Sequence, residues 1–435
     1  MRTYLFVVAA SCIAGTALAQ SGIPERTLGA PSVVSTESFR NIAAVRELSD
    51  GRVIVVERGP LNAAMQGMMA TVMRRVAAGR GGRGADSAAA DSNANMAIAM
   101  MGAGPDRNAP RREARVLLFD RALAHATPIG HAGTDPGAYS QPEGLLAGIA
   151  DTTLLIDMFS TDILVIDPTG TSVTARASPA AQGAMLEAGG AAVDRAGRLL
   201  YQPREQRTLN TGGGMAMGSP DTAAIVAFDF RTHATLPVAQ VHVAPTLMTM
   251  QRDTSGRAGM RMVSKAFPFP TLDDWVEMPD GTLAIIRGAD FHVDWIAPSG
   301  KVRSTPPIPY AKVAVTDSDK VKFTATLHAA ARGAAAMMPA AMSMEQSDPD
   351  SFPPFKPPFS ARGAKAASDG TIWIPAQMLA PTVPDGFYVV GPEGKVREHV
   401  HLMNRQRLVG FGKGVVYVAI NQGPQDIRLA RVPLR

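Results

Sequence analysis

A two-part strand motif recurs along this chain of 435 residues and constrains its fold more than any other feature. The first half is a turn, often Asp-Gly, followed by a short apolar strand. Asp-Gly supplies the positive φ that a tight hairpin turn needs, and Val, Ile, Leu and aromatic residues favour strand interiors. Copies of this half begin at Arg52, Thr152, Arg198, Thr282, Thr371 and Val415.

A second apolar strand follows each copy of the first half. The copies are Arg115–Asp120, Asp162–Asp167, Ala224–Asp229, His292–Ala297, Gly386–Gly391 and Ile427–Val432. Where no insertion intervenes, successive first halves start 46 residues apart (Thr152 to Arg198) and 44 residues apart (Thr371 to Val415). Both separations are close to the length of a four-stranded propeller blade, about 40–45 residues.

The longer separations contain insertions, at approximately Pro60–Glu113, Arg204–Asp221 and Thr316–Pro358. The spacing therefore predicts an all-β fold, a six-bladed β-propeller with a helical insertion and a flexible Met/Ala/Arg-rich insertion. Two stacked β-sandwiches also fit alternating short strands, and five or seven blades stay open.

Both ends of the chain bear on ring closure. The sequence ends just after the last motif copy, so we expect the last blade to lack an outer strand of its own. The segment Arg26–Ser35 precedes the first motif copy. We expect this segment to complete the last blade, because pairing satisfies an otherwise open sheet edge.

The first residues have the pattern of a secretory signal. A positive start at Arg2 precedes an apolar run from Tyr4 to Ala14, and Ala17-Leu18-Ala19 fits a cleavage site. We expect residues 1–19 to be removed and residues 20–435 to form a single propeller domain, periplasmic or secreted. A lipoprotein cut before Cys12 is the weaker alternative. Because Cys12 is the sole cysteine, thiolate metal sites are excluded from the mature chain.

The motif residues resemble a known group of propellers. Glu47–Val56, Arg115–Asp120 and the connector Ile129–Gly144 resemble exported six-bladed propellers of the NHL-repeat and TolB-like kind. The resemblance implies strands and turns rather than one chemistry, since such propellers include binding platforms, lyases and lactonases.

Two insertions have a predicted local structure. Ala63–Ala78 is predicted to form a short amphipathic helix. Thr316–Met338 is predicted to form a helix with Asp317 and Asp319 in its first turn, ended by Pro339. With the proline-rich Ser351–Phe359, it is predicted to cover a channel opening.

The sequence contains no recognisable catalytic constellation, and it lacks the G-x-S-x-G elbow of Ser hydrolases. We therefore expect a platform that binds a protein, peptide or envelope ligand, acting as a monomer. The net charge is +5, but the sequence shows no pattern of aromatic and basic residues that would stack on bases. Nucleic acid is therefore not an expected partner.

The alternative is a metal-dependent lactonase-like hydrolase or lyase that uses the central channel. Propeller lactonases of similar fold hold a divalent cation through carboxylate and amide oxygens, which suit calcium. The corresponding candidates here are Glu143, Asn41, Asn404, Asp273 and Asp274, each near a predicted inner strand. Such residues are also ordinary turn formers.

Three further patterns admit two interpretations. His399 and His401 would face one side of a strand and could share a metal, although exposed strand histidines explain them equally well. Trp275, Trp295 and Trp373 are expected in the core between blades, with a stacking platform for a sugar or peptide as the alternative. Clustered methionines suit copper(I) in an exported protein, but they also fill gaps in loose packing. The clusters are Met65, Met68, Met69 and Met73, then Met96, Met100 and Met101, and the pairs Met215 and Met217, Met248 and Met250, Met260 and Met262, and Met342 and Met344.

Overall fold

The structure is a computed structural model. It describes residues 23–59, 113–133, 135, 137–158, 160, 162–179, 186, 188–203, 207–211, 214–252, 260–335, 342–380, 383–384, 386–423 and 425–434. The described chain is mostly β-strand. The predicted signal and the predicted helix at Ala63–Ala78 lie outside the described residues.

Strands that are close in sequence form four-stranded antiparallel sheets, which we number I to VI in chain order. Two strands precede them, β1 (Glu25–Thr27) and β2 (Val33–Phe39). Sheet I comprises β3 (Ile42–Glu47), β4 (Val53–Glu57), β5 (Arg115–Phe119) and β6 (Ala126–Pro128). Sheet II comprises β7 (Pro142–Ala147), β8 (Thr153–Asp157), β9 (Asp162–Ile166) and β10 (Val173–Ala177).

The remaining numbered sheets repeat this order, and β1 and β2 add to the last two. Sheet III comprises β11 (Ala191–Val193), β12 (Leu199–Tyr201), β15 (Thr222–Phe228) and β16 (Thr235–His242). Sheet IV comprises β19 (Asp274–Glu277), β20 (Leu283–Arg287), β21 (His292–Ile296) and β22 (Val302–Ser304). Sheet V comprises β24 (Lys365–Ala366), β25 (Ile372–Pro375), β28 (Phe387–Val390), β29 (Val396–His401) and β1. Sheet VI comprises β30 (Gln406–Gly412), β31 (Val415–Gly423), β32 (Asp426–Pro433) and β2.

The segments between strands of the numbered sheets contribute further elements. An accessory sheet contains β13 (Arg207–Thr211), β14 (Gly214–Ser219), β17 (Thr246–Arg252), β18 (Met260–Lys265) and β23 (Met342–Ser347). A small hairpin comprises β26 (Met378–Ala380) and β27 (Val383–Pro384). The helix α1 (Asp317–Ala335) and short 3₁₀ turns at Ile149–Asp151 and Ala188–Gly190 complete the described elements.

The strand motif read from the sequence is confirmed. Its two halves are the second and third strands of every numbered sheet, such as β4 and β5 in sheet I and β31 and β32 in sheet VI. The predicted Asp-Gly turns are also present, because Gly51, Gly281 and Gly370 have φ values of +85°, +80° and +80°. These positive angles favour glycine.

Pairing of the chain ends is confirmed, with a shift in its position. β2 pairs antiparallel with β32, so residues 33–39 rather than Arg26–Ser35 complete sheet VI. The earlier part of that segment, β1, instead pairs parallel with β29 in sheet V. The intervening Gly29-Ala30-Pro31 ends the first strand, since proline cannot donate to a ladder.

The hydrophobic core lies between successive sheets. Separate buried clusters join sheets I and II, II and III, III and IV, IV and V, and V and VI, and a further cluster joins sheet VI to sheet I. Trp275, Trp295 and Trp373 are buried in three of these clusters, as predicted. This arrangement of four-stranded sheets is consistent with a β-propeller.

The helix α1 begins with a capping box. The Thr316 hydroxyl accepts from the Asp319 backbone N–H at 3.2 Å, and the Asp319 carboxylate accepts from the Thr316 N–H at 3.0 Å. Lys356, from the proline-rich segment, donates to Asp319 at 2.8 Å. The predicted helix end at Met338 lies outside the described residues, and the predicted covering role stays a prediction. No helix among the described residues combines the length and apolar character needed to cross a membrane.

Candidate functional site

All the long connections leave the numbered sheets at one end. They span residues 58–114, 202–221, 243–273, 305–364 and 376–386, and each joins a second strand to a third or one sheet to the next. The first strands β3, β7, β11, β19 and β24 contact one another in sequence, and β30 contacts β3. We call the end that carries the long connections the insertion face. The opposite end carries short turns.

Three cationic side chains converge where these inner strands begin, a place we call the channel mouth. Arg58 follows β4, Lys365 opens β24 and Arg407 lies near the start of β30. Arg407 Nη2 donates to the Ile42 carbonyl at 2.6 Å, which ties β30 to β3. Arg58 forms an ion pair with Glu143 of β7. The channel mouth thus combines groups from sheets I, II, V and VI.

These cations are incompletely neutralised. Burial lowers the pKa of Lys365, the charge of Arg407 lowers it further, and Asp274 opposes the shift. Partial desolvation also lowers the pKa of Arg407, although the residue is exposed, and the charge of Arg58 adds to that effect. Among the described residues, the Lys365 ammonium has no hydrogen-bonding or ion-pair partner. An anion at the channel mouth would relieve this repulsion.

Two buried polar atoms beside the channel mouth also lack partners in the described chain. They are Nε of Arg58 and Oε1 of Gln141, and Gln141 is only 2% exposed. Gln141 Nε2 does donate to the Gly59 carbonyl at 3.3 Å, which places both side chains at the end of β4. Because buried polar groups in folded proteins are usually hydrogen-bonded, an unpartnered donor and acceptor here point to a ligand.

The carboxylates predicted as calcium ligands are engaged by protein groups. Glu143 pairs with Arg58. Asp273 accepts from Arg287 at 2.8 Å and from the backbone N–H groups of Gly288 at 3.0 Å and His242 at 2.9 Å. These contacts hold loops of the insertion face in place. This is the turn-forming role that such residues can have instead of binding calcium.

Asp274 is buried and accepts from the backbone N–H groups of Trp275, Gly363 and Ala364, and the Arg362 backbone also contributes. Burial raises its pKa to about 6, and these donors oppose the shift. Asn41 and Asn404 are exposed. Asn41 lies directly before β3, and Asn404 lies just before β30. The structure therefore places all five candidates at the insertion-face ends of inner strands, and their calcium role stays a prediction.

A further acidic group lies deeper along an inner strand. Burial raises the pKa of Glu277, the last residue of β19, to about 8, and the nearby Asp194 charge raises it while Arg195 opposes the shift. Glu277 is therefore largely protonated at neutral pH. Sequence reasoning missed Glu277, Arg58, Lys365 and Arg407, because each is an isolated charged residue without a recognisable spacing.

The accessory sheet gathers the methionine pairs read from the sequence. One row crosses four strands, with Met215 opposite Met250, Met250 opposite Met262, and Met262 opposite Met344. Met217 stands opposite Met248, and Met260 opposite Met342. Residues two apart on a strand share a face with their cross-strand partners, so these positions all belong to one face of the sheet. The other methionine clusters lie outside the described residues.

No protein-family model matches this sequence, and no curated protein matches it. Among solved structures, the chain is similar to a putative exported protein from Bacteroides fragilis, with 8% identity, 95% of this chain and 99% of that chain covered, and a TM-score of 0.46. It is also similar to a virginiamycin B lyase from Staphylococcus aureus, with 9% identity, 93% and 98% covered, and a TM-score of 0.39.

Proposed function

We propose that this chain is an exported six-bladed β-propeller of the NHL-repeat or TolB-like kind. Sheets I to VI would be the blades of a single domain over residues 20–435. We further propose that it is a binding platform whose insertion face holds an anionic ligand at the channel mouth. The carrying observation is that Arg58, Lys365 and Arg407 meet there with a single ion-pair partner, Glu143, among the described residues.

The electrostatics favour an anion of small size. Arg58 and Lys365 are half-buried and Arg407 is exposed. Coulomb repulsion near half-buried groups is stronger than in water, so a carboxylate or phosphate between the three cations would be stabilised. The unpartnered Nε of Arg58 and Oε1 of Gln141 would supply a donor and an acceptor for such a ligand. Planar guanidinium groups bind carboxylate and phosphate oxygens in pairs, which adds specificity.

The experiment is calorimetric titration of the mature chain with citrate and with inorganic phosphate at low and moderate salt. We expect binding that weakens as salt rises, because exposed charges are screened. Lys365→Met and Arg407→Gln should each weaken citrate binding by at least about tenfold, or 1.4 kcal/mol.

Lys301→Met is the matched control, because Lys301 is an exposed lysine in a short turn on the opposite face. It should leave citrate binding unchanged. Absence of binding by both anions, or equal affinity in the Lys365→Met and wild-type chains, would overturn the anion site. Circular dichroism of each variant shows whether the fold is retained.

Copper(I) handling is a second candidate function, favoured by the methionine face of the accessory sheet. Thioether sulfurs are soft ligands that select soft ions such as Cu(I). The register places eight methionine positions on one face. The contrasting interpretation, that methionine simply fills gaps, does not require this cross-strand alignment.

Anaerobic titration with Cu(I), and with Ag(I) as a soft ion that is not redox active, tests this function. The double variant Met250→Leu with Met262→Leu conserves side-chain volume, and we expect it to weaken binding by at least about tenfold. Met278→Leu, in the core between sheets IV and V, is the control. Unchanged Cu(I) affinity in the double variant would remove this candidate.

The calcium-dependent hydrolase or lyase predicted from Glu143, Asn41, Asn404, Asp273 and Asp274 remains a separate proposal. Metal analysis and thermal unfolding with and without EDTA test it. A stoichiometric metal whose removal lowers the melting temperature would support it. A chain without metal and indifferent to EDTA would contradict it.

A further inference from the structure

Three metal-ligating side chains meet at the edge of sheet V, away from the channel mouth. Glu25 lies on β1, and His399 and His401 lie on β29. Among the carboxylate and imidazole groups of the described chain, these three form the one set whose ligand atoms all lie within 4.8 Å of one another. His401 Nε2 and Glu25 Oε2 are 3.7 Å apart.

The parallel pairing of β1 with β29 creates this juxtaposition. Glu25 stands opposite His399, and Thr27 stands opposite His401. The two imidazole rings belong to residues two apart on one strand, and their centroids are 4.5 Å apart. The sequence predicted that these histidines share a face but left the other ligands unidentified. The third comes from a segment about 370 residues away.

A glycine keeps the space beside the imidazoles open. A Cβ atom placed on Gly386 would lie 2.8 Å from the backbone oxygen of Val400, 2.9 Å from Nε2 of His399 and 3.2 Å from Nδ1 of His401. All three distances are shorter than ordinary van der Waals contacts. The two nitrogens therefore approach the same backbone position, where a larger side chain would obstruct them.

The surroundings hold the strands and one ring in place. The His399 ring stacks on Tyr388, with centroids 5.0 Å apart and planes 20° apart. The His399 backbone N–H donates to the Pro24 carbonyl at 2.8 Å. On the adjacent residues, Arg26 forms two hydrogen bonds to the Glu398 carboxylate, at 2.9 and 2.8 Å. The strand register that brings the three ligands together is thus fixed by other contacts.

We infer that Glu25, His399 and His401 form a binding site for a divalent transition metal such as Zn²⁺, which ties β1 to sheet V. Two imidazoles and one carboxylate are a ligand set that zinc accepts, with a fourth position left for another ligand. Metal–ligand distances of about 2.0–2.2 Å require the ligand atoms to move closer together. Glu25 is 72% exposed, so its side chain is free to make that movement. This site is independent of the proposed anion and copper(I) functions.

The test is titration of the tag-free mature chain with Zn²⁺ after treatment with chelator. We expect one site with a Kd of about 10 µM or tighter, with His401→Ala weakening it by at least about tenfold and Glu25→Gln by a smaller factor. His328→Ala is the matched control, because His328 also lies 2.8 Å from a carboxylate, that of Asp348, but no second histidine shares that site.

Amide hydrogen exchange gives a second measurement that does not depend on affinity. Zn²⁺ should slow exchange at Arg26 to Leu28, next to the metal ligand, and should not do so in the His401→Ala chain. Zinc affinity unchanged by both His401→Ala and Glu25→Gln, or the absence of binding tighter than about 100 µM, would overturn the site. His401→Ala is the first variant to make, because His401 is partly exposed and its loss leaves the Tyr388–His399 stack intact.

Discussion

The carboxylate of Asp274 accepts a hydrogen bond from the backbone N–H of Ala364 at 3.0 Å, although 90 residues separate the two in sequence. Asp274 opens β19 in sheet IV, and Ala364 immediately precedes β24 in sheet V. The bond therefore links neighbouring sheets at the insertion face. The same carboxylate oxygen accepts from Gly363, also at 3.0 Å.

Asp274→Asn should destabilise the fold. In the orientation that keeps the bond from Trp275, the amide NH₂ would face the N–H groups of Gly363 and Ala364 and could not accept from them. Leaving such buried donors unsatisfied costs about 2–3 kcal/mol. Urea unfolding at neutral pH measures the change. Asp350→Asn, at an exposed ion pair with Lys265, should shift stability by less than about 0.5 kcal/mol. An unfolding midpoint unaffected by Asp274→Asn would contradict this role.

Glu277 should make stability fall as pH rises. The ordinary pKa of 4.5 is raised to about 8 in the folded chain, so between these values the folded state holds a proton that the unfolded state releases. Its contribution is present below about pH 4.5 and is lost as pH rises towards 8. Glu277→Gln, which stays uncharged, should gain about 1–2 kcal/mol on the wild type at pH 8 and less at pH 5. A stability difference that is constant with pH would disprove the assignment.

The two N-terminal strands should contribute unequally to folding. A chain that starts at Asn41 lacks β1 and β2 and leaves the β32 edge of sheet VI unpaired. An open edge promotes association, so we expect this chain to aggregate or to lose cooperative unfolding. A chain that starts at Ser32 keeps β2 and should melt only a few degrees lower. Differential scanning calorimetry and size-exclusion chromatography compare the two. Equal behaviour would show that β2 is dispensable.

Substitution of two turn glycines should distinguish the cost of backbone strain from the cost of a steric clash. Gly300 and Gly394 have φ values of +82° and +80° in equivalent turns of sheets IV and V. A Cβ on Gly300 meets nothing within 4 Å, whereas one on Gly394 would overlap the Thr305 side chain. Gly300→Ala should cost about 1 kcal/mol, and Gly394→Ala about 3 kcal/mol because repacking adds to the strain. Denaturant unfolding of both variants measures the difference. Equal costs would mean that Thr305 moves aside freely.

The sequence predicted the middle strands of the sheets because those strands are buried on both sides. Val53, Ile54, Val55 and Val56 of β4 are all fully buried, which produces a continuous apolar run. The first strands were harder to recognise. In β3, only Ile42 is buried and the other positions are half-buried, so neither periodicity nor composition distinguishes them from loops.

The candidate sites could be predicted only in part. His399 and His401 are neighbours in sequence, so their shared face follows from strand alternation. Glu25 is joined to them only by the pairing of β1 with β29, and no local pattern records that pairing. No local pattern joins Arg58, Lys365 and Arg407 either, because they come from three different sheets. The methionine pairs were visible, but their alignment across four strands required the register.

Because every long connection lies at one end of the sheets, the opposite end can be modified chemically without altering those connections. Ser299 lies in a short turn of the other end, between β21 and β22, and it is exposed. A cysteine introduced by Ser299→Cys would be the sole thiol of the mature chain if the signal containing Cys12 is removed. Attachment to a sensor surface through this cysteine would leave the insertion face pointing away from the surface in a uniform orientation.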